Sequence, residues 1–125
     1  MPMSIDKPED MASVWADAYN RRDLDALVAL YEPDGAFAAR TGPLRGRDAI
    51  RSHFARVFSM DTQIQHRTRK LVDQGEIALC YGAWTLLSRA ADGTQTTRTG
   101  SSVEVLRRQP DGTWLYIVDD PDTGR

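Results

Sequence analysis

Glu104 and Asp119 are the two side chains of this chain whose type and position could carry acid–base chemistry. Alternation along the predicted strands gives Glu104 a face shared with Ser102 and Leu106, and gives Asp119 a face shared with Ile117. Two carboxyl groups that lie close together in an apolar site acquire different pKa values, so one can serve as an acid and the other as a base. In the alternative interpretation, Glu104 lies on a solvated face and Asp119 only ends its strand.

The surroundings of Glu104 decide between two kinds of site. Apolar neighbours such as Ile117 and Trp15 would raise the pKa of the Glu104 carboxyl, which could then donate a hydrogen bond near neutral pH. A nearby arginine, either Arg108 on the same strand face or Arg40 from a loop, would instead keep Glu104 ionised. The site would then suit a polar or anionic ligand group better than acid catalysis.

Other kinds of chemistry find little support in the residue pattern. His53 and His66 are the only histidines, and with the single, distant Cys80 they have no spacing typical of a metal site. His66 stands beside Arg67 and Arg69, which predicts a surface position. No nucleophile-elbow or phosphate-loop pattern is present. We therefore predict neither a metal nor a cofactor.

The elements that must position these residues are helices followed by long strands. Apolar spacing of three and four residues predicts helices over 8–20, 23–31 and 48–58. A turn at 33–35, a short strand at 36–39 and a loop over 40–46 are predicted before the third helix. Long strands are predicted over 62–73, 76–90, 94–108 and 113–120. Helices first and an antiparallel meander afterwards predict an α+β fold with the helices on one sheet face.

Composition restricts the class of protein. The chain has 125 residues, 41% of them hydrophobic and 27% charged, which is the profile of one ordinary globular domain. No apolar run is long enough for a membrane span or a signal peptide, and one cysteine requires no oxidising compartment, so the cytoplasm is favoured. Residues 40–70 carry eight basic and two acidic side chains, which could hold an anionic ligand or nucleic acid or could simply lie on solvated faces. An isoelectric point of about 5.6 disfavours nucleic acid as a partner.

Three segments resemble a known family. Residues 15–34, 46–54 and 104–114 are similar to the opening helices, the third helix and the last hairpin of SnoaL-like and ketosteroid-isomerase-like domains of the nuclear transport factor 2-like superfamily. The resemblance implies one domain over 1–125, with 1–7 flexible and 121–125 as a tail. It also implies a cystatin-like cone, in which a strongly curved antiparallel sheet wraps around three N-terminal helices and leaves a ligand cavity at the open end.

The same resemblance suggests which residues line that cavity. It assigns Glu104 and Asp119 to the cavity wall, and it puts Trp15 and Ala39 where ketosteroid isomerases carry an oxyanion-binding tyrosine and a base. Ala39 has no proton acceptor and Trp15 has only an indole donor, so we do not expect a classical ketosteroid isomerase. The residues expected to contact a ligand are Trp15, Tyr19, Phe37, Ala39, Arg40, His53, Phe54, Trp84, Ser102, Leu106 and Ile117.

Two functions remain open from the sequence. One is cofactor-free proton transfer, of the isomerase, cyclase or dehydratase type, on a small apolar or carbonyl-bearing metabolite. The other is a non-catalytic module that binds a small ligand or serves in dimerisation. Trp84 and Tyr81 lie on opposite faces of one strand, so only one of them can line the cavity. Because the strand over 76–90 is apolar on both faces, we also expect a homodimer, with neither nucleic acid nor membrane as a partner.

Overall fold

Three short helices are present in the computed structural model, which describes residues 4–124. A 3₁₀ turn at Pro8–Asp10 leads into α1 (Met11–Asn20), which is followed by α2 (Leu24–Val28) and, later in the chain, α3 (Arg47–Val57). Met11, Trp15 and Ala18 are buried on α1, as their spacing predicts. The first and third helices therefore lie where the sequence predicts them.

Six strands form one sheet. They are β1 (Tyr31–Ala39), β2 (Gly42–Arg45), β3 (Thr62–Asp73), β4 (Ile77–Arg89), β5 (Gln95–Arg108) and β6 (Trp114–Asp120), in the order β2-β1-β6-β5-β4-β3. Neighbouring strands are antiparallel except β1 and β6, which are parallel, so the sheet is mixed rather than wholly antiparallel. The predicted α+β architecture is confirmed, and β3 has the predicted bounds.

The second helix is shorter than predicted. Asp23 caps it as expected, because its side chain accepts a hydrogen bond from the Ala26 amide at 3.0 Å. The helix ends at Val28 because the chain turns at once into β1, where Tyr31 pairs with β6. Pro33, which lacks an amide hydrogen, could not have continued a helix in any case.

The segment between α2 and α3 is more regular than predicted. Residues 33–35, predicted as a turn, belong to β1, whose pairing with β6 shifts between Tyr31 and Ala36. The predicted loop over 40–46 contains β2, which pairs with the end of β1. The amide of Gly46 donates a hydrogen bond to the carbonyl of Gly35 at 2.8 Å, which ties the two ends of this hairpin together.

An extra residue in β6 changes which side chains face inward. Leu106 pairs with Tyr116 and Val105 pairs with Val118, so Ile117 has no partner of its own on β5. This is a β-bulge, in which two residues of one strand oppose one residue of the other. Tyr116 is buried, yet the next buried position comes three residues later rather than two.

The outer face of the sheet carries a row of aliphatic side chains. Val72, Leu79, Val105 and Val118 are consecutive register partners across β3, β4, β5 and β6. Val72 is 49% exposed and Val118 is 43% exposed, so the row faces solvent in the isolated chain. We call these four residues the outer aliphatic row.

Both ends of the described chain contact the sheet. Within the segment expected to be flexible, residues 1–3 lie outside the described residues, whereas Ile5 is buried and its carbonyl accepts a hydrogen bond from the Trp114 amide at 2.8 Å. In the expected tail, the Thr123 amide donates to the Ser101 carbonyl at 2.9 Å. Among residues 4–124, no helix is long and apolar enough to cross a membrane.

Candidate active site

A cavity of about 270 Å³ opens between α1, α3 and the inner face of the sheet. Most of the predicted site residues line this cavity. They are Trp15, Tyr19, Phe37, Ala39, Arg40, His53, Phe54, Trp84, Ser102, Glu104 and Asp119. The helices supply the aromatic side of the cavity, and β5 and β6 supply its carboxyl groups. The structure therefore brings these side chains together around one space.

Two nominated residues do not line the cavity. Leu106 lies on the same face of β5 as Glu104, but it is fully buried in the core beyond the cavity floor. Ile117 is absent from the lining because it is the extra residue of the β6 bulge. Strict alternation, which gave Ile117 and Asp119 a common face, is wrong at this point.

The lining also includes residues that were not nominated. They are Ala38, Val57, Ile64, His66, Leu86, Arg98, Pro121 and Asp122. Ile64 and Leu86 are direct register partners on β3 and β4. The alternation of apolar and polar residues along these strands was the available signal for them.

Aromatic rings form the wall contributed by the helices. The ring of Trp15 stacks on Tyr19 with centroids 5.4 Å apart, and it meets Phe54 edge-on at 5.9 Å. Phe37 from β1 meets Phe54 at 5.2 Å, also edge-on. Such offset and edge-to-face arrangements are favourable for aromatic pairs, and the apolar surface that they form suits a flat apolar ligand.

Trp84 is the aromatic residue of β4 that lines the cavity. It is paired with Gly100, and a Cβ at that position would lie 2.2 Å from the indole ring, so only glycine leaves room for the ring there. The indole nitrogen donates a hydrogen bond to the carbonyl of Pro121, which fixes the ring against the C-terminal segment. Tyr81 faces the other way, with the Lys70 ammonium 5.1 Å from its ring centroid.

Glu104 and Asp119 lie opposite each other on neighbouring strands. They are register partners on β5 and β6, and they are only 2% and 5% exposed. Burial is the main cause that raises the pKa of Glu104 from 4.5 to about 8, and the nearby Asp119 charge raises this pKa further. Burial likewise raises the pKa of Asp119 from 3.8 to about 7. The pair therefore retains a proton near neutral pH.

Hydrogen bonds favour the ionised form of Asp119 over that of Glu104. The Tyr31 hydroxyl donates to Asp119 Oδ2 at 2.6 Å, and the indole nitrogen of Trp15 donates to the Tyr31 hydroxyl at 3.0 Å. The bond from Tyr31 lowers the pKa of Asp119 against the effect of burial. Glu104 Oε2, by contrast, is buried without a hydrogen-bond partner. The retained proton therefore belongs with Glu104.

No arginine neutralises Glu104 among residues 4–124. Arg108 is exposed at the end of β5, and Arg40 lines the cavity without an ion pair to this carboxyl. The charged-site alternative, in which an arginine keeps Glu104 ionised, is therefore not the arrangement found here. An uncompensated carboxyl in an apolar site is a hydrogen-bond donor in its neutral form.

His66 is the residue that the sequence analysis misplaced. Instead of a surface position, its side chain is 7% exposed, with Nε2 lying 3.2 Å from Ser102 Oγ and 3.8 Å from Glu104 Oε2. Burial lowers the pKa of His66 from 6.5 to about 4, so the imidazole is neutral at pH 7. The ring lies under α1, edge-on to Trp15 at 5.9 Å. Its basic neighbours on β3 face outward, and this alternation was a signal for its burial.

The fold and the site together define a class of protein. A curved mixed sheet with helices at the N-terminus is the α+β fold of the nuclear transport factor 2-like proteins, which is also called cystatin-like. The SnoaL-like domain matches residues 12–120, and the chain belongs to this family.

The chain is similar in structure to solved proteins that carry different functional descriptions. A ketosteroid isomerase-like protein from Erwinia carotovora atroseptica is 21% identical, with a TM-score of 0.76 over 90% of each chain. A proposed dehydratase of the NTF2-like family from Streptomyces avermitilis is 19% identical, with a TM-score of 0.73 over 85% of this chain and 86% of that one. At such identities the likeness shows the fold alone. Among curated proteins, none matches this chain.

Proposed function

We propose that this protein is a small enzyme that moves protons on an apolar, carbonyl-bearing metabolite without a cofactor. The observation that carries the proposal is the pair formed by Glu104 and Asp119, which are register partners in an aromatic cavity. Carboxyl groups held in such surroundings have proton affinities suited to work near neutral pH.

The two carboxyl groups take different roles in this reaction. Glu104, neutral and without a partner at Oε2, donates its proton to the ligand's carbonyl oxygen as negative charge develops there. Asp119, ionised and held by Tyr31, accepts a proton from the adjacent carbon. The raised pKa of Asp119, about 7, makes it a stronger base than an exposed aspartate.

The chemistry differs from that of a classical ketosteroid isomerase in the position of its base. Ala39 lines the cavity at the place where the resemblance puts that base, and its methyl group cannot accept a proton. Trp15 does not act on the ligand as a tyrosine would, because its indole nitrogen donates to Tyr31. The base is therefore assigned to β6 rather than to β1.

A non-catalytic ligand-binding module is the second candidate, and the apolar Ala39 favours it. A binding module needs the aromatic wall of the cavity, but it does not need a titrating carboxyl pair. The two functions are separated by whether the carboxyl groups accelerate a reaction or only contact a ligand.

The test measures deuterium exchange next to a carbonyl group. The probe is 2-tetralone, a bicyclic ketone, incubated with the protein in D2O and followed by proton NMR. We expect the parent protein to accelerate exchange, and Glu104→Gln and Asp119→Asn each to lose about 10²-fold or more of that acceleration. Glu76→Gln, which changes an exposed glutamate near β4, is the matched control.

Two results would speak against the enzyme. If the parent protein binds the ketone but exchange proceeds no faster than in buffer, the binding module is favoured. If both carboxyl variants exchange as fast as the parent, the pair does not carry the reaction.

A further inference from the structure

We propose that the substrate is a flat keto acid whose carboxylate lies at the end opposite its carbonyl group, and that Arg40 and Arg98 bind this carboxylate. The inference deepens the proposed function and rests on it for the carbonyl end. It adds the class of metabolite that the cavity accepts and the two residues that select it.

Arg40 and Arg98 lie on the same side of the carboxyl pair along the sheet. Arg98 comes six residues before Glu104 on β5. Arg40 directly follows β1, three residues after Phe37, which is the register partner of Asp119. Because β1 runs parallel to β6 and β5 runs antiparallel to it, these two displacements lead in the same direction. Both arginines line the cavity and are exposed, whereas the carboxyl pair is buried, so they mark the mouth of the cavity.

Arg98 is oriented before a ligand arrives. It shares the inner face of β5 with Ser102 and Glu104 by regular alternation. Its guanidinium carbon lies 5.8 Å from the centroid of the Trp84 ring, and that ring is fixed by its hydrogen bond to the Pro121 carbonyl. A guanidinium that packs on an aromatic ring keeps its N–H groups available for a planar carboxylate. Arg98 therefore presents donors to the cavity at a small entropic cost.

Neither arginine is neutralised by a carboxylate within the described part of the chain. Among residues 4–124, Arg40 and Arg98 form no ion pair. Arg107, which lies on the same strand as Arg98 but outside the cavity, pairs with Glu32 at 2.8 Å. The cationic groups at the mouth are therefore available to an anionic ligand.

The other titratable groups of the cavity leave its mouth positive and its inner end negative. Asp122, two residues beyond β6, also lines the cavity, and its carboxylate accepts a hydrogen bond from the Gly124 amide at 3.2 Å. The imidazoles of His53 and His66 are neutral at pH 7, because burial lowers the pKa of each. Two arginines against one aspartate give the mouth a net positive charge, while the carboxyl pair with its one proton is negative. A ligand carboxylate is therefore attracted to the mouth and repelled from the inner end, so the carbonyl group enters first.

The spacing along β5 sets the length of the ligand. The guanidinium of Arg98 lies over the Trp84 ring. The register partner of Trp84 is Gly100, four residues from Glu104. Four residues of a strand span about 13 Å, and the ligand itself must span on the order of 10 Å once its contacts with the two side chains are subtracted. Two fused six-membered rings with a carbonyl group at one end and a carboxylate at the other have this length, whereas a three-carbon keto acid does not reach both groups.

The experiment compares two ligands that differ in charge. The probes are 6-hydroxy-2-naphthoate and its methyl ester, which have the same fused rings and the same hydroxyl group, but only the first is anionic. Isothermal titration calorimetry at pH 7 and an ionic strength of about 0.01 M gives the Kd of each probe, at a Debye length of about 30 Å. The ratio of the two Kd values measures the preference for the carboxylate and needs no turnover.

We expect the parent protein to bind the naphthoate about tenfold more tightly than the ester, because each exposed ion pair contributes about threefold. Arg40→Gln and Arg98→Gln should each lower this preference about threefold, and the double variant should abolish it. Arg98→Lys keeps the charge and should keep more of the preference than Arg98→Gln. Arg89→Gln is the matched control, because Arg89 is exposed at the end of β4 and does not line the cavity. In about 1 M sodium chloride, where the Debye length is about 3 Å, the preference of the parent protein should fall.

Deuterium exchange tests the carbonyl end separately. We expect 2-tetralone with a carboxylate at carbon 6 to have a KM about tenfold lower than that of 2-tetralone itself, through the same two ion pairs. Its kcat should be similar, because the arginines contact the carboxylate equally in the ground state and in the transition state.

The outcomes separate the substrate class from the enzyme. Equal Kd values for the two naphthalene probes, no binding of the naphthoate, or a preference that the double arginine variant retains would each overturn the anionic substrate, while exchange of 2-tetralone would still support the enzyme. If the preference depends on the arginines but neither ketone exchanges faster than in buffer, the proposed enzyme is wrong and the arginines serve a module that binds aromatic acids.

Discussion

Replacing Glu104 with glutamine should make the protein more tolerant of alkaline pH. The change keeps the size of the side chain and its ability to donate a hydrogen bond, but it removes the proton that titrates. In the parent protein the pKa of Glu104 is raised from 4.5 to about 8, mainly by burial. Its contribution to stability is therefore fully present below pH 4.5 and is lost as the pH rises through 8.

The size of the effect follows from the same values. A rise in pKa from 4.5 to about 8 corresponds to at most about 5 kcal/mol, at about 1.4 kcal/mol for each tenfold change in proton affinity. Asp119 shares part of this effect, because its charge is one cause of the raised pKa. Between pH 5 and pH 9 we therefore expect Glu104→Gln to gain about 3–5 kcal/mol over the parent in free energy of unfolding.

The assay is urea unfolding followed by circular dichroism at several pH values and one fixed protein concentration. The concentration is fixed because association would also change the apparent stability.

His66 affects stability in the opposite direction. Its pKa is lowered to about 4, so its contribution to the free energy of unfolding is lost as the pH falls from 6.5 towards 4. Glu76→Gln should follow the parent curve at all pH values. Parallel loss of stability in the parent and in Glu104→Gln across this range would refute a buried, neutral Glu104.

Three further predictions concern the wall, the base and the outer face. Trp15→Ala should lower the free energy of unfolding in urea by about 3–5 kcal/mol, and 2-naphthol, a flat aromatic probe for the cavity, should no longer quench the remaining tryptophan fluorescence. Trp15→Phe should keep most of the stability, and an unchanged stability of Trp15→Ala would contradict the burial of Trp15. Tyr31→Phe should raise the pKa of Asp119 in carbon-detected NMR titration, because it removes the hydroxyl that donates to the carboxylate, and a pKa that stays or falls would exclude this role. The outer aliphatic row should be the interface of a homodimer, so light scattering at micromolar concentration should give twice the chain mass. Val105→Glu should be monomeric, and a monomeric parent protein would disprove the prediction.

Local pattern predicts most of this fold from the sequence. The turn residues that separate β3, β4, β5 and β6 bound these strands closely, and the apolar stripe on α1 places Trp15 in the core. Local pattern fails to predict the structure at Tyr31. This residue fits the apolar stripe of α2, but its parallel pairing with β6 makes it the first residue of β1. That pairing joins distant parts of the chain, and no local pattern contains it.

In the candidate site, the position of Glu104 was predictable from alternation, that of Asp119 only from the family resemblance, and that of His66 from neither. Glu104 follows regular alternation on β5, so its inward position could be derived. Asp119 reaches the same cavity only because a bulge changes the phase of β6, which alternation cannot anticipate. His66 seemed to belong to a basic surface because its arginine neighbours dominate the sequence, although they lie on the other face of the strand. Its contact with Ser102 depends on the absence of a side chain at Gly82, on the intervening strand β4.

The bulge at Ile117 has an evolutionary consequence. Loss of one residue from a buried strand normally turns every following side chain to the opposite face. Here a deletion of Ile117 would leave Tyr116, Val118 and Asp119 opposite their present partners on β5, because Ile117 has no partner there. Strand β6 can therefore lose the residue at this position while its carboxyl group stays in place. Such a deletion would change the local twist of the sheet and therefore the shape of the cavity. Related proteins could thus differ in the shape of the ligand that fits, while the two carboxyl groups keep their positions.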